Sequence, residues 1–294
     1  MRAMPDPRSL PDDLHGRPFS RDDAERAGIR SGRLRRRDIR RPFHGVQIVG
    51  SFGSLRERCT AYRVRMKPGH AFSHQTAVRL QGLPMARAFE EELDLHVSVV
   101  MPGRAPTTRG VAGHRIRIAP PIVDLDGLPV VRMDEAWAQM APLLAVDELI
   151  ELGDAVLWTD PDLLDAMRAA AVTPYRPAGD RLRKALREIR PGSASPGETR
   201  LRLLLTRAGI RQPELNAEVE LPEGSVHPDL VWRDELVAAE YEGDGHRERE
   251  QFAYDIGRYE RMAAAGWTVV RVVADDLRGS RADALIRRMR RLVP

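Results

Sequence analysis

The sequence predicts a multidomain chain of mixed α/β and α+β character, and three observations carry that expectation. Its 294 residues and 33.0 kDa are about twice a typical domain length. Segments with helical spacing of apolar residues alternate along it with short runs of period two. A Pro/Gly/Ser-rich stretch at 173–197, TPYRPAGDRLRKALREIRPGSASPG, separates two halves and places the main domain boundary there.

Taken in order, residues 1–17 are polar and Pro-rich, the composition of a loose terminus. Residues 18–58 read as helix, short turn, helix and then a β-rich HGVQIV after Pro42, the order of a helix-turn-helix with a wing. Ser20 with Asp23 forms a capping-box pattern, Gly28 is a helix stop, and Ser31 offers the N-cap of a second helix carrying Arg33, Arg35, Arg36 and Arg37. Residues 59–172 read as an α+β unit. There SHQTAVRLQGLP opens a helix at Ser73, LDLHVSVV alternates at Leu93, Leu95, Val97 and Val99, and HRIRIA alternates again. MDEAWAQMAPLL and VDELIELGDAVL follow as two helices whose apolar positions include Trp137, Met140 and Leu143. Residues 173–197 form a linker region with one charged helix. The last segment, 198–294, runs helix from Glu198, strand near Glu218, strand at Asp229, strand from Leu236, helix from Glu248, strand from Thr268 and a terminal basic helix, an αβββαβα order. Trp137, Trp158, Trp232 and Trp267 lie in apolar-periodic segments and are assigned to packing.

Composition narrows the function. With 42% hydrophobic and 31% charged residues, the chain shows no apolar run near the ~20 residues of a membrane span. The opening MRAMPDPRSLPDD lacks a signal-peptide apolar core, and Cys59 is the single cysteine, so a cytoplasmic protein without a membrane partner is expected. One Cys and eight scattered His argue against a Cys-rich zinc site, leaving oxygens as the expected ligands of any metal. The net charge is +4, yet residues 1–60 hold 14 Arg against 8 Asp and Glu. Lys67 and Lys184 are the only lysines. The cluster Arg33, Arg35, Arg36, Arg37, Arg40 and Arg41 therefore reads either as a solvated face of an Arg-rich chain or, the favoured reading, as phosphate contacts on DNA.

The chemistry concentrates in HPDLVWRDELVAAEYEGDGH. Two apolar runs flank the polar Arg233, Asp234 and Glu235, the pattern of a hairpin. A turn centred between Asp234 and Glu235 sets Asp229 opposite Glu240, and strand alternation puts Glu242 on the face of Glu240 with Tyr241 on the other. Opposed like charges destabilise a sheet unless a cation or a solvated edge relieves them. A hard divalent ion such as Mg²⁺, or Mn²⁺, would do so and would serve phosphodiester hydrolysis. Glu198 is a further ligand or a group behind the ligands, and His246 a general acid or base. Gly243 and Gly245 make the turn after the strand, since no P-loop Lys follows them.

From about Ser195 to Leu292 the motifs SPGETRLRLLL, HPDLVW, VAAEYEGDGHR and DIGRYERMAAAGWTVVRV resemble the PD-(D/E)xK, restriction-endonuclease-like superfamily. The nearest likeness is to its branch related to very-short-patch-repair endonucleases. The resemblance implies Asp229 as central metal ligand, Glu240 as the acid of the second motif and Glu198 as the helical acid. It also implies Asp255 with Arg258 as a family-type pair on the later helix, read here as orienting the ligands rather than as a plain i,i+3 salt bridge, and His246 as a histidine that assists the chemistry. Glu242 departs from the superfamily pattern, which has Lys there, although that branch often carries an acid. A Lys would stabilise developing negative charge, which Glu cannot do.

Residues 18–158 resemble the winged-helix antitoxins of abortive-infection, AbiEi-like systems. The matching text is PFSRDDAERAGIRSGRLRRRDIRRPFHGVQIV, FSHQTAVRLQGLP and VDELIELGDAVL. That resemblance implies DNA binding and a toxin or operon partner. The sequence thus leads to a Mg²⁺-dependent DNA endonuclease-like protein with a winged helix. The alternative is a non-catalytic antitoxin-like DNA-binding regulator that carries a degenerate nuclease fold.

Overall fold

The computed structural model describes residues 10–11, 14, 16–49, 52–85, 89, 92–243 and 249–294, the last range without the side chains of 249–256. It is a mixed α/β chain with several sheets and forms two compact units, Met1–Met140 and Ala141–Pro294. No described helix is long and apolar enough to cross a membrane.

In the first unit, β1 (Phe19–Ser20), β2 (Ile39–Arg40) and β3 (Val46–Val49) form an antiparallel sheet of order β1-β3-β2, with α1 (Arg21–Arg26) and α2 (Ser31–Leu34) between β1 and β2. Ser20 caps α1 as expected: its Oγ accepts the Asp23 N–H at 3.0 Å while Asp23 accepts the Ser20 N–H at 2.8 Å. Gly28 follows with φ +70°, a left-handed stop that glycine adopts without a Cβ clash.

The second helix departs from expectation. It is a single turn whose N-cap is Arg30, not Ser31, and it ends at Leu34, so Arg35, Arg36 and Arg37 lie beyond it. The chain turns because Arg33 closes a fork on Asp38 at 2.7 and 3.0 Å and Arg41 donates to the Leu34 carbonyl at 2.8 Å. Leu14, Phe19, Ala24, Leu34 and Ile39 make the small core beneath.

The larger sheet of this unit has the order β6-β5-β4-β8-β7, from β4 (His70–Phe72), β5 (Leu95–Val100), β6 (Val111–Ile116), β7 (Ile122–Leu125) and β8 (Leu128–Val131). α3 (Leu55–Arg63), α4 (His74–Leu80) and α5 (Met133–Gln139) complete it. Leu95, Val97 and Val99 are buried as the alternation requires, whereas Leu93 precedes the strand and is 70% exposed. Trp137 and Met140 are fully buried.

The second unit begins with α6 (Val146–Thr159), α7 (Leu164–Ala171), α8 (Gly179–Glu188) and α9 (Pro196–Arg207). The division at 140/141 falls upstream of the Pro/Gly/Ser-rich stretch because α6 is bonded into the C-terminal half. Its buried Asp154 pairs with buried Arg202 at 2.6 Å and accepts the Thr199 hydroxyl at 2.9 Å and the Arg190 N–H at 2.8 Å. Two residues read as core are not: Leu143, in the turn after α5, and Trp158, in the last turn of α6, are each about half exposed.

The main sheet here has the order β14-β13-β12-β9, made by β9 (Glu214–Leu215), β12 (Leu230–Trp232), β13 (Val237–Glu242) and β14 (Thr268–Val273). The strand expected near Glu218 exists as β10 (Val219–Leu221) but stands outside this sheet, paired with β11 (Gly224–Val226) in a separate hairpin. β13 and β14 run parallel, joined through α10 (Arg249–Ala264), and α11 (Gly279–Leu292) closes the chain. Leu230, Trp232, Val237 and Ala239 on one face pack with Leu201 and Leu205 of α9 and Met289 of α11. Val231 and Ala238 on the other pack with Met262 of α10.

Candidate functional site

The β12–β13 hairpin has the register the sequence demands. Leu230 pairs with Ala239, Val231 with Ala238 and Trp232 with Val237, so Asp229 and Glu240 are the next opposed positions. Asp229 bridges the hairpin directly, its Oδ2 accepting the Tyr241 N–H at 2.7 Å. Glu240 and Glu242 are both buried, at 5% and 8% exposure. The face opposite them carries Tyr241, whose ring lies so near Gly197 that a Cβ there would sit 2.0 Å from it. Only glycine allows α9 to approach this strand, and the residue after it is Glu198.

Glu198 occupies the third position of α9, with Ser195 capping its N–H at 3.2 Å and Pro196 at the helix start. Its Oε2 accepts the Ala194 N–H at 2.8 Å and the Asn216 side-chain amide at 2.9 Å. Asn216 also donates to the Gly192 carbonyl at 2.7 Å, and its N–H reaches the Asp229 carbonyl at 3.0 Å. One amide residue, at φ +46°, thus ties the helical acid to the hairpin acid. The sequence reading missed Asn216, because a lone Asn before a strand signals a turn rather than a link.

Electrostatics report the convergence. Burial, then the charges of Glu198 and Glu240, push the Asp229 carboxyl up from its ordinary 3.8 to about 7, against the lowering effect of the Tyr241 N–H and Arg258. Glu240 and Glu242 have cationic partners. Arg258, on α10, is bonded to Glu240, and the Tyr259 hydroxyl reaches Glu240 at 3.2 Å and Glu242 at 2.9 Å. Arg271, on β14, donates to Glu242 at 2.7 Å. Both guanidinium groups lie over the Tyr259 ring, 5.1 and 5.0 Å from its centroid. Burial first, then the Glu240 charge, pushes the Tyr259 phenol up.

The sequence placed Arg258 near the acids but missed Tyr259 and Arg271, which come from a helix and a parallel strand remote in sequence. The side chain of Asp255 and all of His246 lie outside the described residues.

In the first unit Arg33 is only about a tenth exposed and committed to Asp38, while Arg35, Arg36, Arg37 and Arg40 are exposed. Arg21, Arg35, Arg41, Arg58 and Arg109 line a groove of about 760 Å³ together with Phe43 and Phe52.

The sequence reading expected oxygens as the ligands of any metal and missed a nitrogen donor set in the first unit. His74, His96 and His114, scattered in sequence, converge in the first unit with one ring nitrogen or another from each within 4.8 Å, a set that could hold a metal ion. His114 is pushed down to about 4 by burial and by His96.

No family model matches the chain, and no solved structure matches it. Two uncharacterised proteins, from two strains of Mycobacterium tuberculosis, are each 34% identical to it over 100 residues. The match covers 32% of this chain and spans 37% of the length of each relative.

Proposed function

We propose that the second unit is a metal-dependent nuclease-type domain that hydrolyses DNA phosphodiester bonds, and that the first unit binds DNA through a winged-helix module. The observation that carries this reading is the approach of Glu198 and Glu240 to Asp229 at the end of the hairpin, with Asn216 tying Glu198 to the Asp229 carbonyl and the Asp229 carboxyl raised to about 7, first by burial and then by the charges of Glu198 and Glu240. Perturbed carboxylates of this kind cluster at functional sites. The donor set is all oxygen, buried and flanked by like charges, with Arg258 bonded to Glu240, which suits a hard divalent ion.

In this reading Asp229 and Glu240 hold Mg²⁺ or Mn²⁺, and Glu198, fixed by Asn216, adds a third carboxylate beside them. When bound, the ion supplies neutralisation of phosphodiester charge and activation of water. Arg258 orients Glu240, and Tyr259 holds Glu240 and Glu242 in a common geometry. Arg271, half exposed, supplies next to Glu242 the positive charge that Lys would otherwise bring to that position. His246 remains the proposed proton donor or acceptor.

A second reading, a non-catalytic DNA-binding regulator with a toxin or operon partner, is favoured by one observation: an acid, Glu242, stands at the position where the nuclease pattern has Lys, and Arg271 is bonded to it. The Arg-lined groove of the first unit serves either reading.

The test is incubation of the purified chain with supercoiled plasmid and linear single-stranded DNA in Mg²⁺ or Mn²⁺, beside Asp229→Ala and an EDTA control. Metal-dependent nicking that disappears in Asp229→Ala is the expected result. A salt-dependent gel shift without cleavage would replace the nuclease by the regulator.

A further inference from the structure

The first unit brings together three imidazoles that neither reading of the acidic site uses. His74 opens α4, directly after β4; His96 lies in β5; His114 lies in β6. β5 and β6 are parallel with His96 opposite Ala112 and Ser98 opposite His114, so the two histidines are diagonal neighbours. His74 joins them from the neighbouring strand end, its ring 3.8 Å from that of His114 and 5.9 Å from that of His96, centroid to centroid.

The surroundings hold these rings in place. His74 has φ +50°, a left-handed conformation that costs a non-glycine residue of order 1 kcal/mol. Its N–H is anchored on the Gln139 side chain at 3.1 Å. The His96 N–H donates to Thr76 Oγ1 at 2.8 Å and its carbonyl accepts the Ser73 N–H at 2.9 Å.

The tautomer of His96 follows from its neighbours. Its Nε2 faces Glu92 Oε1 at 3.2 Å, while the other Glu92 oxygen is bonded by Gln75. With the proton on Nε2 toward that carboxylate, Nδ1 presents a lone pair inward, where His114 Nε2 lies 2.9 Å away. A carboxylate behind an imidazole whose other nitrogen points to a shared centre is the arrangement that fixes and strengthens a histidine ligand.

We propose that His74, His96 and His114 hold one divalent transition-metal ion of the zinc type, with Glu92 orienting His96. Three imidazole nitrogens suit Zn²⁺ and its neighbours rather than Mg²⁺, which demands oxygen. Three protein ligands on a four-coordinate ion leave one position for water or a substrate atom, the pattern of a catalytic rather than a closed structural zinc site. The histidines lie in the first unit and the acidic constellation in the second.

The experiment uses the full-length, metal-stripped chain in equilibrium dialysis against Zn²⁺ with Mg²⁺ in excess, and Co²⁺ as a spectroscopic substitute. One Zn²⁺ per chain with a Kd at or below about 1 µM is expected, with a visible Co²⁺ spectrum of low coordination number. His114→Ala should weaken uptake by about 100-fold or more, and Glu92→Gln by about 10- to 100-fold. His227→Ala, an exposed histidine of the second unit, should leave uptake unchanged. Zn²⁺ should raise the Tm of the native chain by mass action. Should His114→Ala fail to fold, Glu92→Gln and the Co²⁺ spectrum of the native chain decide. Absence of saturable one-to-one uptake below about 100 µM, or equal uptake by native chain and both cluster variants, would overturn the proposal.

Discussion

Asp229→Asn should make the protein more stable at pH 8 and leave it nearly unchanged at pH 4. The Asp229 carboxyl titrates in the folded chain at about 7 instead of 3.8. Between these values the folded state holds a proton that the unfolded state has released, so stability falls as pH rises from about 4 to 7 and is level above. The full displacement corresponds to about 4 kcal/mol against the ionised form at pH 8, an upper bound because the unfolded reference and local relaxation both reduce it. Asparagine removes the charge and keeps an oxygen to accept the Tyr241 N–H, so a gain of about 2 kcal/mol is the working expectation. Urea titrations of both chains at pH 4 and pH 8, in EDTA, measure the difference. Millimolar Mg²⁺ should then stabilise the native chain more than the variant at pH 8. A variant equally stable or weaker at pH 8, or a carboxyl resonance of Asp229 titrating near pH 4 by NMR, would refute the picture of mutually repelling acids.

Three further outcomes follow from the packing. Gly197→Ala drives a methyl into the Tyr241 ring and should cost about 1–3 kcal/mol, with DNA cleavage reduced beyond what lost stability explains, measured as activity per folded molecule. Asp154→Ala strands buried Arg202 and should destabilise the second unit by about 3–5 kcal/mol in urea, whereas a second change, Arg202→Met, should recover part of that loss. Cys59, fully buried and with its thiol pushed up to about 12 by burial, should resist a disulfide reagent at pH 8 in the native chain and react at once in urea.

The hairpin was legible in the sequence because a polar triplet between two apolar runs leaves one register that buries Leu230, Trp232 and Ala239 together. The Ser20 cap and the Gly28 stop were legible for the same local reason. What escaped is long-range. Arg271 reaches Glu242 through parallel pairing of strands whose intervening helix hides the proximity. The three histidines lie 22 and 18 residues apart, on three elements, with no spacing motif to join them. The helix bearing Arg33 failed differently: Arg33, Arg35, Arg36 and Arg37 favour helix by propensity, but the Arg33–Asp38 fork and the Arg41 bond to Leu34 close a turn instead. The boundary at 140/141 could not be read from composition, since it follows from the bonds that hold α6 to α9 within the second unit, Asp154 with Arg202, Glu151 with Arg200 and Asp147 with Arg207, between positions far apart in sequence.

The alternation along β13 has a consequence for folding as well as chemistry. Val237, Ala239 and Tyr241 face an apolar core, and Ala238, Glu240 and Glu242 face Arg258, Tyr259 and Met262. A slip of one residue would exchange the faces, driving two carboxylates among Leu201, Leu205 and Trp232 and stranding Arg258. Each buried unpaired charge would cost several kcal/mol, more than a misaligned hairpin recovers from its backbone bonds. The acids therefore act as a proofreading device for the strand: the groups proposed to hold the metal also make the mispaired sheet too costly to persist.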